Sequence, residues 1–198
     1  MPDLISLSAT EHRLAGNIIA ESFADDPVNL WVFGNQAGMT GYYRRAAKQL
    51  YLRKGYGHRF SGDGCTLWLP PGVSKTIPPW QSLGIAASML RHSGIGAIAR
   101  GSALDAGLAS RHPDEPHHYL FAIGTRPAMQ GRGIGKQLMN AGLAHADADR
   151  LPAYLESSKQ DNVPFYQHFG FEVMQRFVPT EGAPPLWLMW REGRKHYK

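Results

Sequence analysis

Between Thr125 and Lys136 the chain reads Thr-Arg-Pro-Ala-Met-Gln-Gly-Arg-Gly-Ile-Gly-Lys, with glycines at 131, 133 and 135 and positive charge at Arg126, Arg132 and Lys136. Alternate glycines clear side chains away from a backbone that a ligand must approach. The apolar run Tyr119-Leu120-Phe121-Ala122-Ile123 before it suits a buried strand, and Ile134, Leu138, Ala141 and Gly142 after it share one helical face. The stretch is therefore a strand-loop-helix joint. The first N–H groups of such a helix lack intrahelical partners and its dipole favours negative charge, so the joint is suited to an anion such as a pyrophosphate.

Spacing narrows the ligand. A P-loop needs a glycine five residues before its Gly-Lys pair and a Ser or Thr after the lysine, but those positions hold Gln130 and Gln137. The dinucleotide pattern G-x-G-x-x-G needs a third small residue where Lys136 stands, and it usually opens a domain instead of lying in the last third of one.

What remains is Q-x-x-G-x-G, formed by Gln130, Gly133 and Gly135 directly after a strand and a proline. It resembles the coenzyme A pyrophosphate loop of the GNAT superfamily of N-acetyltransferases. The resemblance continues through Tyr154-Leu155-Glu156-Ser157-Ser158, Asn162-Val163-Pro164-Phe165-Tyr166 and Gly170-Phe171, and covers the last third of the chain in detail. It implies an α/β fold, a mixed and mainly antiparallel sheet flanked by helices, and acetyl-CoA as cosubstrate. In that resemblance the cofactor contacts fall on Gln130, Gly131, Arg132, Gly133, Ile134, Gly135 and Lys136. The pantetheine arm would meet the backbone of Ile123, Gly124 and Thr125 where two strands splay, with Asn162, Phe165 and Tyr166 beside it.

The reaction implied is acyl transfer from a thioester to an amine. An alkylamine with a pKa near about 10.4 is mostly protonated at pH 7, and freeing its lone pair costs roughly 4 to 5 kcal/mol. A base, or water leading to one, is useful. The leaving thiolate has a conjugate-acid pKa of about 8.5, so a tyrosine near about 10 need only hydrogen-bond to it. Tyr166 matches the family's thiolate-facing tyrosine, and Asn162, four residues earlier, shares its helical face. Helix packing beside Phe165 and Phe169 would also account for Tyr166. Glu156 ends the strand that faces the cleft in the resemblance and is the candidate base, though a strand-end carboxylate in solvent reads the same way. Candidate acceptor contacts are Asp26, Trp31, His118 and Glu156. Asp25-Asp26 before Pro27 also reads as a polar stop, Trp31 as core, and His118 as a packing residue. His112, His117 and His118 are irregularly spaced and no nearby carboxylate completes a usual ligand set, so no metal is expected.

The elements that must position these groups follow from the rest of the chain. Leu4 to Leu7 reads as a strand, and Ser8-Ala9-Thr10-Glu11 as a capping box for a helix with Leu14, Ala15, Ile18 and Ile19 on one side, stopped at Asp25-Asp26-Pro27. Tyr43, Ala46, Ala47, Leu50 and Tyr51 mark a second helix. Strands are expected near His58 to Ser61 and Cys65 to Leu69, joined by Ser61-Gly62-Asp63-Gly64. Short helices fall near Trp80 to His92 and Ala97 to Ser110, in a Gly- and Ala-rich region from Pro78 to Pro116. Then come a central strand at about 118–124, a helix at 134–149, a strand at Ala153 to Glu156, a short helix from Asp161 to His168, and strands near Phe171 to Val178 and Leu186 to Arg191.

With 198 residues and 43% hydrophobic content, one domain spanning 1–198 is expected. The first residues, Met-Pro-Asp-Leu, show no basic segment with an apolar core, and no apolar run reaches about 18 residues, so a cytoplasmic protein is expected. The lone Cys65, in the strand-like Cys65-Thr66-Leu67-Trp68-Leu69, reads as a structural thiol. The charge of +5 is spread without any nucleic-acid-binding pattern.

The sequence therefore reads as a GNAT-type enzyme acetylating a small-molecule primary amine by direct attack in a ternary complex. Trp68-Leu69-Pro70-Pro71-Gly72 and His118-Tyr119-Leu120 resemble the puromycin N-acetyltransferase subgroup, which implies such an acceptor. A protein or peptide acetylase would keep the same loop but need an open groove, and a non-catalytic acyl-CoA sensor would keep the loop without needing Tyr166. The acceptor's identity, the acyl length and the oligomeric state, monomer or homodimer, are left open.

Overall fold

A computed structural model describes residues 4–77 and 79–194. The Met1-Pro2-Asp3 start and Pro78 lie outside the described residues, as do residues 195–198. Seven strands form one sheet: β1 (Leu4–Ser6), β2 (Tyr56–Phe60), β3 (Gly64–Leu69), β4 (His118–Thr125), β5 (Ala153–Ser157), β6 (Glu172–Phe177) and β7 (Leu186–Arg191). Their spatial order is β1-β2-β3-β4-β5-β7-β6. Each neighbouring pair is antiparallel except β4 and β5, so the mixed, mainly antiparallel sheet expected from the sequence is observed.

Helices cover both faces of the sheet, which is why every residue of β3 is buried. On one face Leu67 and Leu69 join a core built with Ala15, Ile18 and Ile19 of α1 (His12–Ser22). On the other face Trp68 and Leu120 pack with Met139 and Leu143 of α7 (Ile134–Asp149). The small residue Gly142 makes the second packing possible, because a Cβ there would come within 2.4 Å of the Trp68 ring.

The 3-10 turn Ala9–Glu11 that leads into α1 carries the expected capping box, the Ser8 N–H and hydroxyl both donating to Glu11 Oε2 at 2.9 Å. Where a stop was expected at Asp25-Asp26-Pro27, the structure differs. Helix α1 has already ended at Ser22, and Asp26-Pro27 opens a further helix, α2 (Pro27–Phe33), with Asp26 as N-cap and Pro27 in the first turn. Proline lacks an N–H that this position would not use and has a preset φ, so the same dipeptide ends one element and starts the next. Helix α3 (Gln36–Ala46) passes through a π-helical turn (Ala47–Tyr51) into the single turn α4 (Leu52–Lys54). The Gly- and Ala-rich region forms α5 (Pro79–Ser93) and α6 (Ile95–Ala109), which pack against α3 and α2 beyond the sheet. A five-residue helix, α8 (Val163–Gln167), lies between β5 and β6. No helix among the described residues is long and apolar enough to cross a membrane.

Candidate active site

The glycine loop is anchored from below. At the end of β4 the Arg126 N–H donates to Asp63 O at 2.7 Å, its Nε donates to Gly62 O at 2.7 Å, and its guanidinium pairs with Glu21. Arg126 thus ties the loop to the β2–β3 turn and to α1, and the positive charge left facing outward is that of Arg132 and Lys136. A 3-10 turn (Pro127–Met129) follows, and the Gln130 side chain reaches back to Thr125 O at 3.3 Å. Gly131 and Gly133 have φ of 75° and 77°, and a Cβ on either would meet nothing within 4 Å. Glycine is required there by conformation, and the space in front of the backbone is open. Ile134, Gly135 and Lys136 then begin α7, with their N–H groups at the positive end of a sixteen-residue helix.

Beside the loop the sheet parts. β4 pairs with β5 only through His118, Tyr119 and Leu120, opposite Ala153, Tyr154 and Leu155. Beyond Leu120, β4 continues to Thr125 on β3 alone, and β5 continues to Ser157 on β7 alone. The backbone of Ile123, Gly124 and Thr125 therefore offers a free edge on the β5 side. A bulge accompanies the parting: Leu67 faces Ala122 while Trp68 faces Leu120, so Phe121 is the extra residue on β4. Helix α8 closes the far side of the gap. Its Phe165 packs on Tyr166 with ring centroids 5.3 Å apart, and lies 3.6 Å from where a Cβ on Gly135 would sit.

A cavity of about 550 Å³ opens onto this gap. Ile123, Ser158, Asn162 and Tyr166 line it at the gap; Tyr42, Tyr51, Tyr119 and Phe121 form aromatic wall; α5 and α6 supply Ile85, Met89, Ile98 and Asp105. Glu156 and Tyr166, the two expected acid–base candidates, both line it. The Glu156 side chain is 7% exposed; its Oε2 accepts from the Tyr119 hydroxyl at 2.6 Å, and its Oε1 lies 3.5 Å from Lys75 Nζ and 3.9 Å from His112 Nδ1. Burial pushes this carboxyl up, but the His112 ring, the Lys75 charge and the Tyr119 hydroxyl together outweigh it and hold the pKa below the usual value. The Tyr166 phenol, 8% exposed, is raised well above the usual value by burial and by the charge of Asp26. It keeps its proton at neutral pH. Asp105, which also lines the cavity, is raised by burial and by Glu156, against the pull of Lys75.

The other acceptor candidates are placed elsewhere. Asp26 is 1% exposed and both its oxygens are engaged: Oδ1 accepts from the Asn29 N–H and amide at 2.8 and 2.9 Å, and Oδ2 from the Ser158 hydroxyl. It holds the start of α2 against the end of β5. Trp31 packs on the α1-side core. His118 turns to the opposite face of the sheet, where its Nδ1 meets the Tyr56 hydroxyl at 2.9 Å and its Nε2 meets Asp149 at 3.0 Å. No group of three His, Cys, Asp or Glu side chains is gathered for a metal among the described residues. Cys65 is buried, with its thiol against Ala15 O at 3.6 Å.

Sequence reasoning missed Lys75, Asp105, Tyr119 and Ser158. Tyr119 carried a usable signal, since its place two residues before Phe121 on the same strand put both on the face opposite Leu120.

Residues 95–171, from the start of α6 to the edge of β6, match the model of the acetyltransferase (GNAT) family. This span holds β4, the glycine loop, α7, β5 and α8 in the order just described. Over this span the chain is similar to the GNAT acetyltransferases. An uncharacterized N-acetyltransferase of Schizosaccharomyces pombe is 25% identical over 208 residues, covering 94% of this chain and 81% of that one. The GNAT fold extends over the whole chain: an acetyltransferase from Corynebacterium glutamicum, described as histone acetyltransferase HPA2 and related acetyltransferase, superimposes with a TM-score of 0.72 at 20% identity, covering 98% of both chains. Arylalkylamine N-acetyltransferase 2 of Aedes aegypti gives a TM-score of 0.59 at 14% identity, over 96% of this chain and 97% of that one.

Proposed function

We propose that this GNAT protein transfers an acetyl group from acetyl-CoA to the primary amine of a small molecule, by direct attack in a ternary complex. The observation that carries the reading is the roof over the cavity. Helices α5 and α6 close the acceptor side into a pocket lined by aromatic rings and one buried carboxylate, where a peptide substrate would need an open groove. The fold accommodates such acceptors, since the Aedes aegypti neighbour is named for arylalkylamines. The likeness of Trp68 to Gly72 and of His118 to Leu120 to puromycin N-acetyltransferases supports the same choice of acceptor.

The loop fits the cosubstrate. Gly131 and Gly133 present open backbone, the first turn of α7 presents donors for a pyrophosphate, and Ile123 to Thr125 present a strand edge for an amide-bearing arm. Acetyl-CoA supplies an activated acyl group. Glu156 fixes the acceptor ammonium, and its low pKa makes it a lasting counter-ion at neutral pH. Freeing the lone pair still costs roughly 4 to 5 kcal/mol at pH 7, and Glu156 provides the route by which the proton leaves for solvent. Tyr166, protonated and buried at the gap, hydrogen-bonds the departing sulphur.

Calorimetric titration with acetyl-CoA, coenzyme A, ATP and NAD, followed by a screen of small amines against lysine peptides, tests the reading. Selective binding of the coenzyme A species with turnover of a small amine supports it. Preference for ATP or NAD removes the cosubstrate assignment, and turnover of peptides alone removes the acceptor class.

A further inference from the structure

Lys75 occupies the place an acceptor amine would take. Its Nζ lies 3.5 Å from Glu156 Oε1 and 5.5 Å above the centroid of the Tyr119 ring, and Asp105 lines the same cavity. Carboxylate, aromatic face and a second carboxylate are the groups that recognise a primary ammonium. The cavity is continuous from Lys75 to Tyr166 and Ile123 at the strand gap. Lys75 sits in the irregular segment after β3, and its four-carbon stem gives the amine freedom to advance along that cavity.

We propose that Lys75 is itself an acceptor, and that the protein acetylates its own Lys75 ε-amine from an acyl-CoA thioester. This rests on the acetyltransferase reading above. The Lys75 ammonium loses one proton to solvent; its lone pair forms the N–C bond to the thioester carbonyl as the C–S bond breaks. The amide nitrogen then gives up a second proton, which balances the departing thiolate as coenzyme A thiol. The product is a neutral amide that no longer pairs with Glu156, leaving that carboxylate to an external ammonium. Self-acetylation would thus clear the pocket for its substrate.

The test uses the full chain, treated with a lysine deacetylase, incubated with isotope-labelled acetyl-CoA and mapped by peptide mass spectrometry, with acetyl-CoA binding followed by calorimetry. Label is expected at Lys75 at a rate independent of protein concentration and at least about 10-fold above that at Lys48 or Lys54, as fits a bound, oriented amine. Excess coenzyme A should suppress it, and Lys75→Arg should remove it. Label spread evenly over these lysines, or a rate that rises with protein concentration, overturns the inference if acetyl-CoA still binds, and leaves the acetyltransferase reading standing. Failure of acetyl-CoA to bind sinks both.

Discussion

Leu120 is the last residue of β4 to pair with β5, opposite Leu155, and the bulged residue Phe121 follows it directly. The two facts belong together. A bulge adds local twist, and at this point it turns β4 away from β5 while β3 continues to hold it. One irregularity thus creates the free strand edge at Ile123 to Thr125 and opens the cavity between Glu156 and Tyr166, which a continuous ladder would have sealed.

Tyr166 should act through a hydrogen bond more than through full proton transfer. Burial raises its phenol above the ordinary value, so handing its proton to a thiolate with a conjugate-acid pKa of about 8.5 is uphill. Tyr166→Phe keeps the ring contacts with Phe165 and Phe171. Steady-state kinetics should show kcat lowered by about 10- to 100-fold with acetyl-CoA affinity nearly unchanged. Full activity would take Tyr166 out of the mechanism.

Gly133 should be intolerant for a reason of conformation. Its φ of 77° places it in the left-handed region, and no atom lies within 4 Å of a Cβ built there. A β-branched side chain costs about 1 to 3 kcal/mol in that conformation and would project into the space a phosphate needs. Gly133→Val should bring acetyl-CoA binding below calorimetric detection while the thermal melt falls only a few degrees. Unchanged affinity would mean that the loop does not hold the cosubstrate.

Lys75 is one of the groups that hold the Glu156 carboxyl low, and removing its charge should be visible in a pH profile. In Lys75→Met burial is opposed only by the His112 and Tyr119 contacts, so the Glu156 pKa rises. If the ionised carboxylate binds the acceptor, the acid limb of kcat/KM against pH should lie at higher pH in this variant than in deacetylated wild-type protein followed at initial rates, before Lys75 itself is acetylated. An unmoved limb would show that Glu156 ionisation does not govern acceptor capture.

Much of this was legible because it lies in short, locally determined stretches. The glycine loop declares itself through its φ requirements, and α7 runs over Ile134–Asp149 as its apolar face dictates. Glu156 and Tyr166 sit on elements whose ends follow from nearby residues. The cavity walls were not legible, because they come from packing between distant segments: Lys75 meets Glu156 across 81 positions of chain. Arg126 shows the same limit from the other side. Its position in a basic loop suggested a phosphate contact, yet Glu21 and the Gly62 carbonyl, remote in sequence, hold it for structure. His118 depended on strand register, and the alternation of β4 turned it to the face away from the cavity.

The two histidines flanking the start of β4 set an acid limit on stability. Burial lowers the pKa of His117, opposed by the Glu115 carbonyl, and lowers that of His118, opposed by Asp149. Their residues are 8% and 1% exposed, so the neutral rings are the forms the folded protein prefers. Below the unfolded value of about 6.5 the unfolded chain therefore binds more protons than the folded one, and stability rises with pH through that range. On acidification the contribution is whole above about pH 6.5 and is lost as the pH falls through the lower folded values. Thermal melts should drop between about pH 7 and pH 5, and His118→Gln, which keeps a polar group toward Tyr56 and Asp149 but does not titrate, should flatten the slope. A melt whose pH dependence is the same in that variant would show that His118 contributes nothing to it.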